Sequence, residues 1–537
     1  MAETKFGKYV LDSLTASMYK DSECVYREYI QNAADQIDEA LESDPNGYYC
    51  IHINIYPKER TITIEDNATG VKRDNRDVLR DVARSKKVKG KRKGFRGIGR
   101  LGGLGYCKTM IFETSAPGED VKTMLSWDAA RMREIVDDEN DDSEAADVVD
   151  LCTQFSECVE KRDAHYFKVI MKGVTDDRLL NVEKIRNYLS MVSPIDYGTS
   201  FSLFASKIKK YAKVNGLELD TYNLFLNSEQ LYKGYTPYIK DNKNGDYHIT
   251  DIEFFNQQYE NGDFMYWGWY SISEFRGQIP SSNLAYGIRL RSHNIELGDA
   301  ETCKFFFDAP GDKRFSQYFY GELFVVSKTL LPDARRDYIR ECEDRSNFEK
   351  FVKRHFIVLK SICQQASDLR SAAKGVEKAV TNQQKIESKK EKGFDSTLEA
   401  DQSQEQYEKL QKDIEKYKKI YTKRKKEIEE KGSPLSFLPS MFEEKTPQLI
   451  TSEDSDVSPE GAKHEDSKAV TQQHIDDDSG TKLRTDGINY SCFNEREKSI
   501  INSVYGTIYK CFPDETMREI LIKKIESEII NIVKKKK

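Results

Sequence analysis

A glutamate, an asparagine and an aspartate stand at helical spacing near the start of the chain. Glu28, Asn32 and Asp35 fall at i, i+4 and i+7 among good helix formers that follow Asp21 and Ser22, so they share one face of a predicted helix. A carboxamide oxygen is a hard ligand suited to Mg²⁺, and a carboxylate one turn away can orient or deprotonate a water. A solvated polar face would show the same spacing, so this motif alone does not establish a site.

A further carboxylate is predicted to stand where a strand ends. Isoleucines alternate with polar residues over 51–55 and 62–64, and residues 57–60 between them predict a hairpin connection, so the second strand runs into Asp66. An aspartate there can accept a hydrogen bond from an exocyclic amine such as that of adenine, and Gly70 lets the backbone come close to a ligand. An ordinary Asp-Asn turn after a strand is the alternative.

A segment rich in glycines and cations follows. Its glycines are Gly94, Gly97, Gly99, Gly102, Gly103 and Gly105, and its cations include Lys86, Lys91, Arg92, Lys93, Arg96 and Arg100. Glycines expose backbone N–H groups to an anion, and the N-terminus of a following helix would add its dipole. We expect a lid that is hinged near residues 84–87 and whose cations meet a triphosphate. Contact of the basic run with nucleic acid is the alternative.

Together the three motifs supply a base, a metal-binding amide, a purine-reading carboxylate and a phosphate loop. That set suffices for hydrolysis of ATP, and the P-loop pattern GxxxxGK[ST] does not occur in the sequence. In this order the motifs resemble those of the GHKL ATPases, which include heat-shock-ninety chaperones, DNA gyrase, MutL, MORC proteins and histidine kinases. The resemblance implies a Bergerat fold, an α/β sandwich in which ATP and Mg²⁺ lie between a helix layer and a mixed sheet.

The resemblance also implies roles for single residues. Glu28 matches the catalytic base, Asn32 the Mg²⁺ ligand, Asp66 the adenine-binding aspartate and Gly70 the second glycine of its motif. Ala68 replaces the first glycine of that motif, and its methyl group is expected to narrow the nucleotide pocket. The remaining residues expected to bind the cofactor are Asp35, Lys86, Gly94, Arg96, Gly97, Ile98, Gly99, Arg100 and Gly102.

Looser motifs farther along the chain resemble bacterial heat-shock-ninety-like ATP-binding proteins. They imply a second α/β domain of the S5-like transducer type, from which a basic residue reaches the γ-phosphate. Arg335 and Arg336, in a Pro-Asp loop after an apolar strand, are the candidates. Surface ion pairs with Asp333 and Asp337 are the alternative role for these arginines.

Composition and pattern predict an α/β multidomain protein. The chain has 537 residues, a net charge of -7, no apolar run that could cross a bilayer and no CxxC pair, so we expect a cytoplasmic protein without membrane contact. The predicted domains are a GHKL ATPase domain at 1–205, a transducer-like domain at 206–350, a helical hairpin or coiled coil at 351–432, a flexible linker at 433–486, and a helical docking or dimerisation element at 487–537.

The predicted function is that of an ATP-hydrolysing conformational machine, chaperone-like or clamp-like, in which lid closure rearranges domains or a dimer. A homodimer is expected, with a protein client or effector as a further partner. Two alternatives remain open at this point. One is a nucleic-acid clamp like MORC or MutL, and the other is a nucleotide-sensing component of a bacterial defence complex.

Overall fold

Two β-sheets and a pair of long helices make up most of the structure, a computed structural model that describes residues 5–15, 21–84, 93–94, 97–243, 245–430, 432–449 and 504. The α-helices in these ranges are α1 (Tyr9–Leu14), α2 (Cys24–Ser43), α3 (Ala129–Asp137), α4 (Ala145–Cys152), α5 (Val182–Val192), α6 (Ser202–Val214), α7 (Glu343–Lys392), α8 (Thr397–Glu430) and α9 (Phe437–Lys445). The strands are β1 (Cys50–Tyr56), β2 (Thr61–Asp66), β3 (Thr109–Ser115), β4 (Val121–Asp128), β5 (Thr153–Val159), β6 (Tyr166–Lys172), β7 (Asn223–Leu226), β8 (Glu229–Gln230), β9 (Tyr238–Ile239), β10 (Tyr247–Gln258), β11 (Phe264–Ser273), β12 (Gly287–Ser292), β13 (Ile295–Glu296) and β14 (Tyr320–Val325).

The first sheet carries the N-terminal motifs. Its strand order is β5-β4-β3-β6-β2-β1-β7-β8, and neighbours are antiparallel except β1 and β7, which run parallel. The predicted hairpin is confirmed, with Ile53 opposite Ile64 and Ile55 opposite Ile62. These side chains are buried, and burying each isoleucine contributes roughly 1.5–3 kcal/mol. Strands β7 and β8 belong to this sheet although they follow residue 205, where the sequence places the domain boundary.

Helix α2 packs on the first sheet through an apolar stripe. Val25, Tyr29, Ala33 and Ile37 recur every four residues and are at most 3% exposed, so they form the predicted core-facing stripe. The helix begins at Cys24, without a side-chain cap at Glu23, and runs to Ser43. Packing of this stripe turns the polar face, with Glu28, away from the sheet core.

The second sheet has the order β13-β12-β14-β11-β10-β9, with β12 and β14 parallel and the other neighbours antiparallel. One of its faces packs against α6 and the other against α7, through Phe204 and Phe348 respectively. Because both faces are covered, β12 and β14 are buried along their whole length and β11 over nearly all of it.

A buried charge cluster connects the second sheet to the chain between α5 and β9. Glu322 and Lys233 have no exposed side-chain surface, and their charged atoms lie 2.7 Å apart. Glu322 also pairs with Arg291 and accepts hydrogen bonds from the Tyr197 hydroxyl and from Trp269 Nε1 at 3.1 Å. Although burial opposes ionisation, the charges of Arg291 and Lys233 lower the pKa of Glu322 to about 2.

The C-terminal part of the described chain is helical. Helices α7 and α8 run antiparallel, since Lys389 near the end of α7 pairs with Glu399 near the start of α8, while Asp368 pairs with Arg424. Helix α9 lies within the predicted linker, where Leu438 is buried in the same core cluster as α7, so this part of the segment is packed. From residue 450 onward, only Val504 of the predicted linker and docking element lies within the described residues.

Candidate active site

Helix α2 presents the three predicted polar residues to the glycine-rich loop, of which the structure describes residues 93–94 and 97–105. Glu28 is 7% exposed and Asp35 is 1% exposed, whereas Asn32 between them is half-buried. The predicted common face is therefore present, but the loop covers most of it, and Asn32 alone of the three keeps partial exposure.

The carboxylate of Asp35 anchors the start of this loop at Lys93 and Gly94. Its Oδ1 accepts the backbone N–H of Lys93 at 2.8 Å, and its Oδ2 accepts that of Gly94 at 2.9 Å. A carboxylate that accepts two backbone N–H groups fixes the loop firmly, because hydrogen bonds to a charged group are the stronger kind. Asp35 was predicted to bind the cofactor, and the structure shows it anchoring the loop.

Two glycines of the loop approach the other members of the face. A Cβ atom added at Gly94 would lie 3.5 Å from Asn32 Oδ1 and 2.4 Å from Gln31 Nε2. A Cβ atom added at Gly99 would lie 2.3 Å from Glu28 Oε2. Only glycine fits at either position without displacing a side chain of α2.

Other predicted loop residues have contacts within the protein. Gly97 has a φ of 71°, and a Cβ there would lie 2.5 Å from the Arg84 carbonyl oxygen. The Arg100 guanidinium donates to the Asp81 carbonyl oxygen, and Ile98 is buried.

The helix that follows Ile98 is a 3₁₀ helix over Gly99–Tyr106, in which Gly102 is buried. Closely spaced glycines disfavour an α-helix, because each adds a large backbone entropy cost. Lys86 and Arg96 lie outside the described residues.

Arg336 lies 308 residues after Glu28 in the sequence, yet its side chain reaches Glu28. Arg336 Nε lies 3.7 Å from Glu28 Oε1, and both side chains are more than nine-tenths buried. Arg27 Nε lies 4.0 Å from the same oxygen. Within the described residues, Glu28 Oε1 accepts no hydrogen bond although it is buried. Glu28 is thus a buried carboxylate that faces two guanidinium groups at ion-pair distance.

A tight loop, residues 332–339, presents Arg336, and we call it the Arg336 loop. A bridge between Pro332 and Ile339 closes it, and the Asp333 N–H donates to the Tyr338 carbonyl oxygen at 2.9 Å. Arg336 has a φ of 59°, a left-handed conformation that costs a non-glycine residue roughly 1–3 kcal/mol.

Contacts with α2 and with the glycine-rich loop offset that cost and distinguish the two arginines. Arg336 Nη2 donates to the Lys93 carbonyl oxygen, which links the Arg336 loop to the glycine-rich loop. Arg27 Nη2 donates to the Arg335 carbonyl oxygen at 2.7 Å. The side chain of Arg335 is exposed, so the structure brings only Arg336 to Glu28.

Asp66 ends β2 as predicted and is 3% exposed. Its Oδ1 accepts the N–H of Ala68 at 3.1 Å, and the Ala68 methyl group is buried in the core of the first sheet. Gly70 has a φ of 62°, and a Cβ there would lie 1.9 Å from the Ser115 carbonyl oxygen. Backbone geometry therefore requires glycine at 70, independently of any ligand.

Sequence reasoning missed an ion-pair group beneath the glycine-rich loop. Lys93, expected with the cations that meet a triphosphate, is 6% exposed, and its Nζ lies 2.6 Å from Asp38 and 3.4 Å from Asp220. Burial opposes ionisation of Asp220, but a hydrogen bond with His293 and the charge of Lys93 lower its pKa. Asp38 lies one turn after Asp35, which was the available signal, but nothing in the local sequence points to Asp220.

The N-terminal part of the chain, which carries most of this site, matches a known protein family. Residues 20–157 match the family model described as histidine kinase-, DNA gyrase B- and HSP90-like ATPase. This part of the chain is a GHKL-type ATPase domain. The matched range includes α2, Asp66 and the glycine-rich loop, whereas the Arg336 loop lies beyond it. No curated protein matches the chain.

The helices of the GHKL domain and of the rest of the described chain include none that is both long enough and apolar enough to cross a membrane.

Proposed function

We propose that the protein binds ATP with Mg²⁺ and hydrolyses it, and that closure of the glycine-rich loop over the phosphates rearranges its domains or a dimer, as in heat-shock-ninety-like members of the GHKL group. The GHKL-type domain supports nucleotide binding in general. The observation that carries hydrolysis is Glu28, whose buried Oε1 accepts no hydrogen bond within the described residues. A carboxylate with that free acceptor can take a proton from a water.

The other residues of α2 and β2 complete the proposed site. Asn32 would hold Mg²⁺, and it fits because its carboxamide oxygen is a hard ligand one turn from Glu28 on a half-buried surface. A bound Mg²⁺ would neutralise phosphate charge, as in other phosphoryl-transfer sites. Asp66 would bind adenine. Glycines 94 and 99 already stand against Asn32 and Glu28, so the loop is placed to limit access of water to the reacting phosphate.

Arg336 is the proposed link between hydrolysis and domain arrangement. Its guanidinium pairs with Glu28 at 3.7 Å and is anchored on the Lys93 carbonyl oxygen, so it contacts both the base and the glycine-rich loop. A γ-phosphate is a second anion for which Arg336 can leave Glu28. Because the two nucleotide states would differ in that contact, they would favour different positions of the Arg336 loop.

The proposed output is mechanical, chaperone-like or clamp-like, and would act on a protein client or effector. A homodimer is part of this proposal. The GHKL assignment supports these ideas only as far as a conformational ATPase in general, so the activity itself is the first thing to measure.

Steady-state ATP hydrolysis and nucleotide binding by the wild type, Glu28→Ala and Asp66→Asn test the proposal. We expect Glu28→Ala to bind nucleotide but to lose about 10²- to 10⁴-fold in rate, since a general base contributes that much. Asp66→Asn is expected to bind weakly and to hydrolyse little. The matched control is Glu39→Ala, which changes an exposed glutamate of the same helix and is expected to keep the wild-type rate.

Two outcomes would overturn the proposal in different ways. Wild type that binds ATP but does not hydrolyse it would make the protein a nucleotide sensor. Wild type that binds no nucleotide would refute the site itself.

A further inference from the structure

The outer face of α8 carries a line of lysines. They are Lys409, Lys412, Lys416, Lys419, Lys423 and Lys426, and all six are exposed. Their spacing alternates between three and four residues, so they lie on one face of the helix. At 1.5 Å per residue, the set spans about 25 Å with about 5 Å between neighbours. We call this set the lysine stripe.

The opposite face of α8 is fixed against α7. Tyr421 and Ile428 are buried in the core cluster that includes α7. Tyr417 packs where α7 has Gly375, and a Cβ added at that glycine would lie 2.7 Å from the tyrosine ring. These contact positions lie about half a turn from the lysine stripe at 3.6 residues per turn. The core therefore sets the rotation of α8 and directs the stripe outward.

The stripe is hardly used inside the molecule. Within the described residues, its one ion pair is Lys426 with Glu430 at 3.7 Å, and their side chains are 74% and 63% exposed. By contrast, Arg424 on the inner side pairs with Asp368 at 2.7 Å. Residues 409–426 contain nine lysines or arginines and two carboxylates, a local charge of +7 in a chain whose net charge is -7. Such a concentration of positive charge favours an anionic partner.

We propose that the lysine stripe binds the phosphate backbone of a nucleic acid duplex without reading its sequence. A duplex carries one negative charge per about 1.7 Å, so it presents about 15 charges along the length of the stripe. Lysine ammonium groups act as point charges that contact phosphates, and such contacts position a duplex without distinguishing its bases.

The alternative of a membrane surface fits the helix less well. Helices that lie on membranes combine a basic face with an apolar face that enters the lipid. The apolar face of α8 is already occupied by α7. Beside the stripe, the only large apolar side chain exposed in the described part of α8 after residue 400 is Ile420, at 38%.

The test measures binding of the full-length protein to two fluorescent 30-base-pair DNA duplexes of unrelated sequence, by anisotropy, at several salt concentrations. The variant combines Lys412→Glu, Lys416→Glu and Lys419→Glu, which are exposed positions whose replacement leaves the α7 contact intact. We expect wild type to bind both duplexes equally. The variant should bind at least 100-fold more weakly at low salt, and the slope of log K against log salt should fall by about three.

The matched control combines Lys210→Glu, Lys213→Glu and Lys350→Glu, exposed lysines elsewhere whose replacement changes the net charge equally. It is expected to bind like wild type, and circular dichroism verifies that both variants keep their helix content. If both variants bound DNA equally more weakly than wild type, the proposal would be overturned, because the net charge of the protein and not the lysine stripe would determine binding. The proposal would also be overturned if wild type bound neither duplex but bound anionic vesicles or poly-glutamate through the stripe, since the partner would then be a membrane or an acidic protein.

Discussion

Glu28 and Glu322 are both buried glutamates that face two cations, yet their surroundings differ in one respect. Both oxygens of Glu322 accept hydrogen bonds, one from Lys233 and the other from Tyr197 and Trp269. Glu28 has Arg336 and Arg27 at 3.7 and 4.0 Å, and its Oε1 accepts no hydrogen bond within the described residues.

The difference separates a structural cluster from a candidate reactive one. A buried polar group whose hydrogen bonds are all made stabilises one arrangement of the side chains around it. Such a cluster is therefore rigid. A buried acceptor that receives no hydrogen bond lowers the stability of the fold. Proteins carry such destabilising groups mainly at sites that bind a ligand or react with one. We therefore expect Glu322 to matter for folding and Glu28 to matter for chemistry.

The largest expected effect is on stability. Glu322→Gln leaves Lys233 and Arg291 buried without their counter-charge, which should lower the free energy of unfolding by about 3–5 kcal/mol. Glu28→Gln should lower it by less, since its ion pairs are longer, at 3.7 and 4.0 Å, and Arg336 and Arg27 keep their hydrogen bonds to backbone carbonyl oxygens. Urea unfolding followed by tryptophan fluorescence measures both, because Trp269 contacts Glu322. Equal losses in the two variants would remove the distinction between the clusters.

The next effect concerns the two arginines of the Arg336 loop. Arg336→Ala should lower the ATP hydrolysis rate roughly 10- to 100-fold, the value of a hydrogen bond to a charged group. Arg335→Ala is the matched control and should change the rate by less than about twofold, because its side chain is exposed and its carbonyl oxygen still accepts from Arg27. Equal losses in both would show that the loop backbone, and not the Arg336 guanidinium, is what matters.

The smallest effect is a pH dependence. The pKa of Glu322 is lowered to about 2 from an ordinary 4.5, so its contribution to stability is complete above pH 4.5 and is lost as pH falls toward 2. Between pH 7 and pH 3.5, that loss is about 1.4 kcal/mol. The stability gap between wild type and Glu322→Gln should narrow by this amount in urea unfolding at the two pH values. A gap that stays constant would mean that Glu322 does not titrate as the cluster implies.

Local structure around the site could be predicted from the sequence because its signals are local. The alternation of isoleucines gave the β1–β2 hairpin with Asp66 at its end, and the four-residue recurrence of apolar residues gave the buried face of α2. The spacing of Glu28 and Asn32 gave their common face. Each of these depends on neighbours within a turn of helix or one hairpin.

Long-range contacts could not be predicted in this way. Arg27 and the Arg335 carbonyl oxygen are 308 residues apart in sequence, and no local pattern indicates that they meet. The sequence therefore predicted both Arg335 and Arg336 as candidates, and only the conformation of the Arg336 loop shows which of the two reaches Glu28. Lys93 illustrates the converse error, since its position among loop cations suggested a phosphate, whereas Asp38 and Asp220 bind it. Whether a lysine pairs with a carboxylate of the protein or with a phosphate of a ligand depends on the tertiary structure around it.

Helix α7 has a consequence that follows from its length alone. It starts at Glu343, seven residues after Arg336, and its 50 residues extend about 75 Å. Its first turns pack on the second sheet through Phe348 and Val352. A tilt of about 5° at that base would carry the far tip by roughly 6 Å, given the rise of 1.5 Å per residue. Under the proposed coupling through Arg336, the helix would act as a lever arm, because a side-chain rearrangement at Glu28 would need only a small angular change at its base to displace the far tip by a distance that a bound partner can sense.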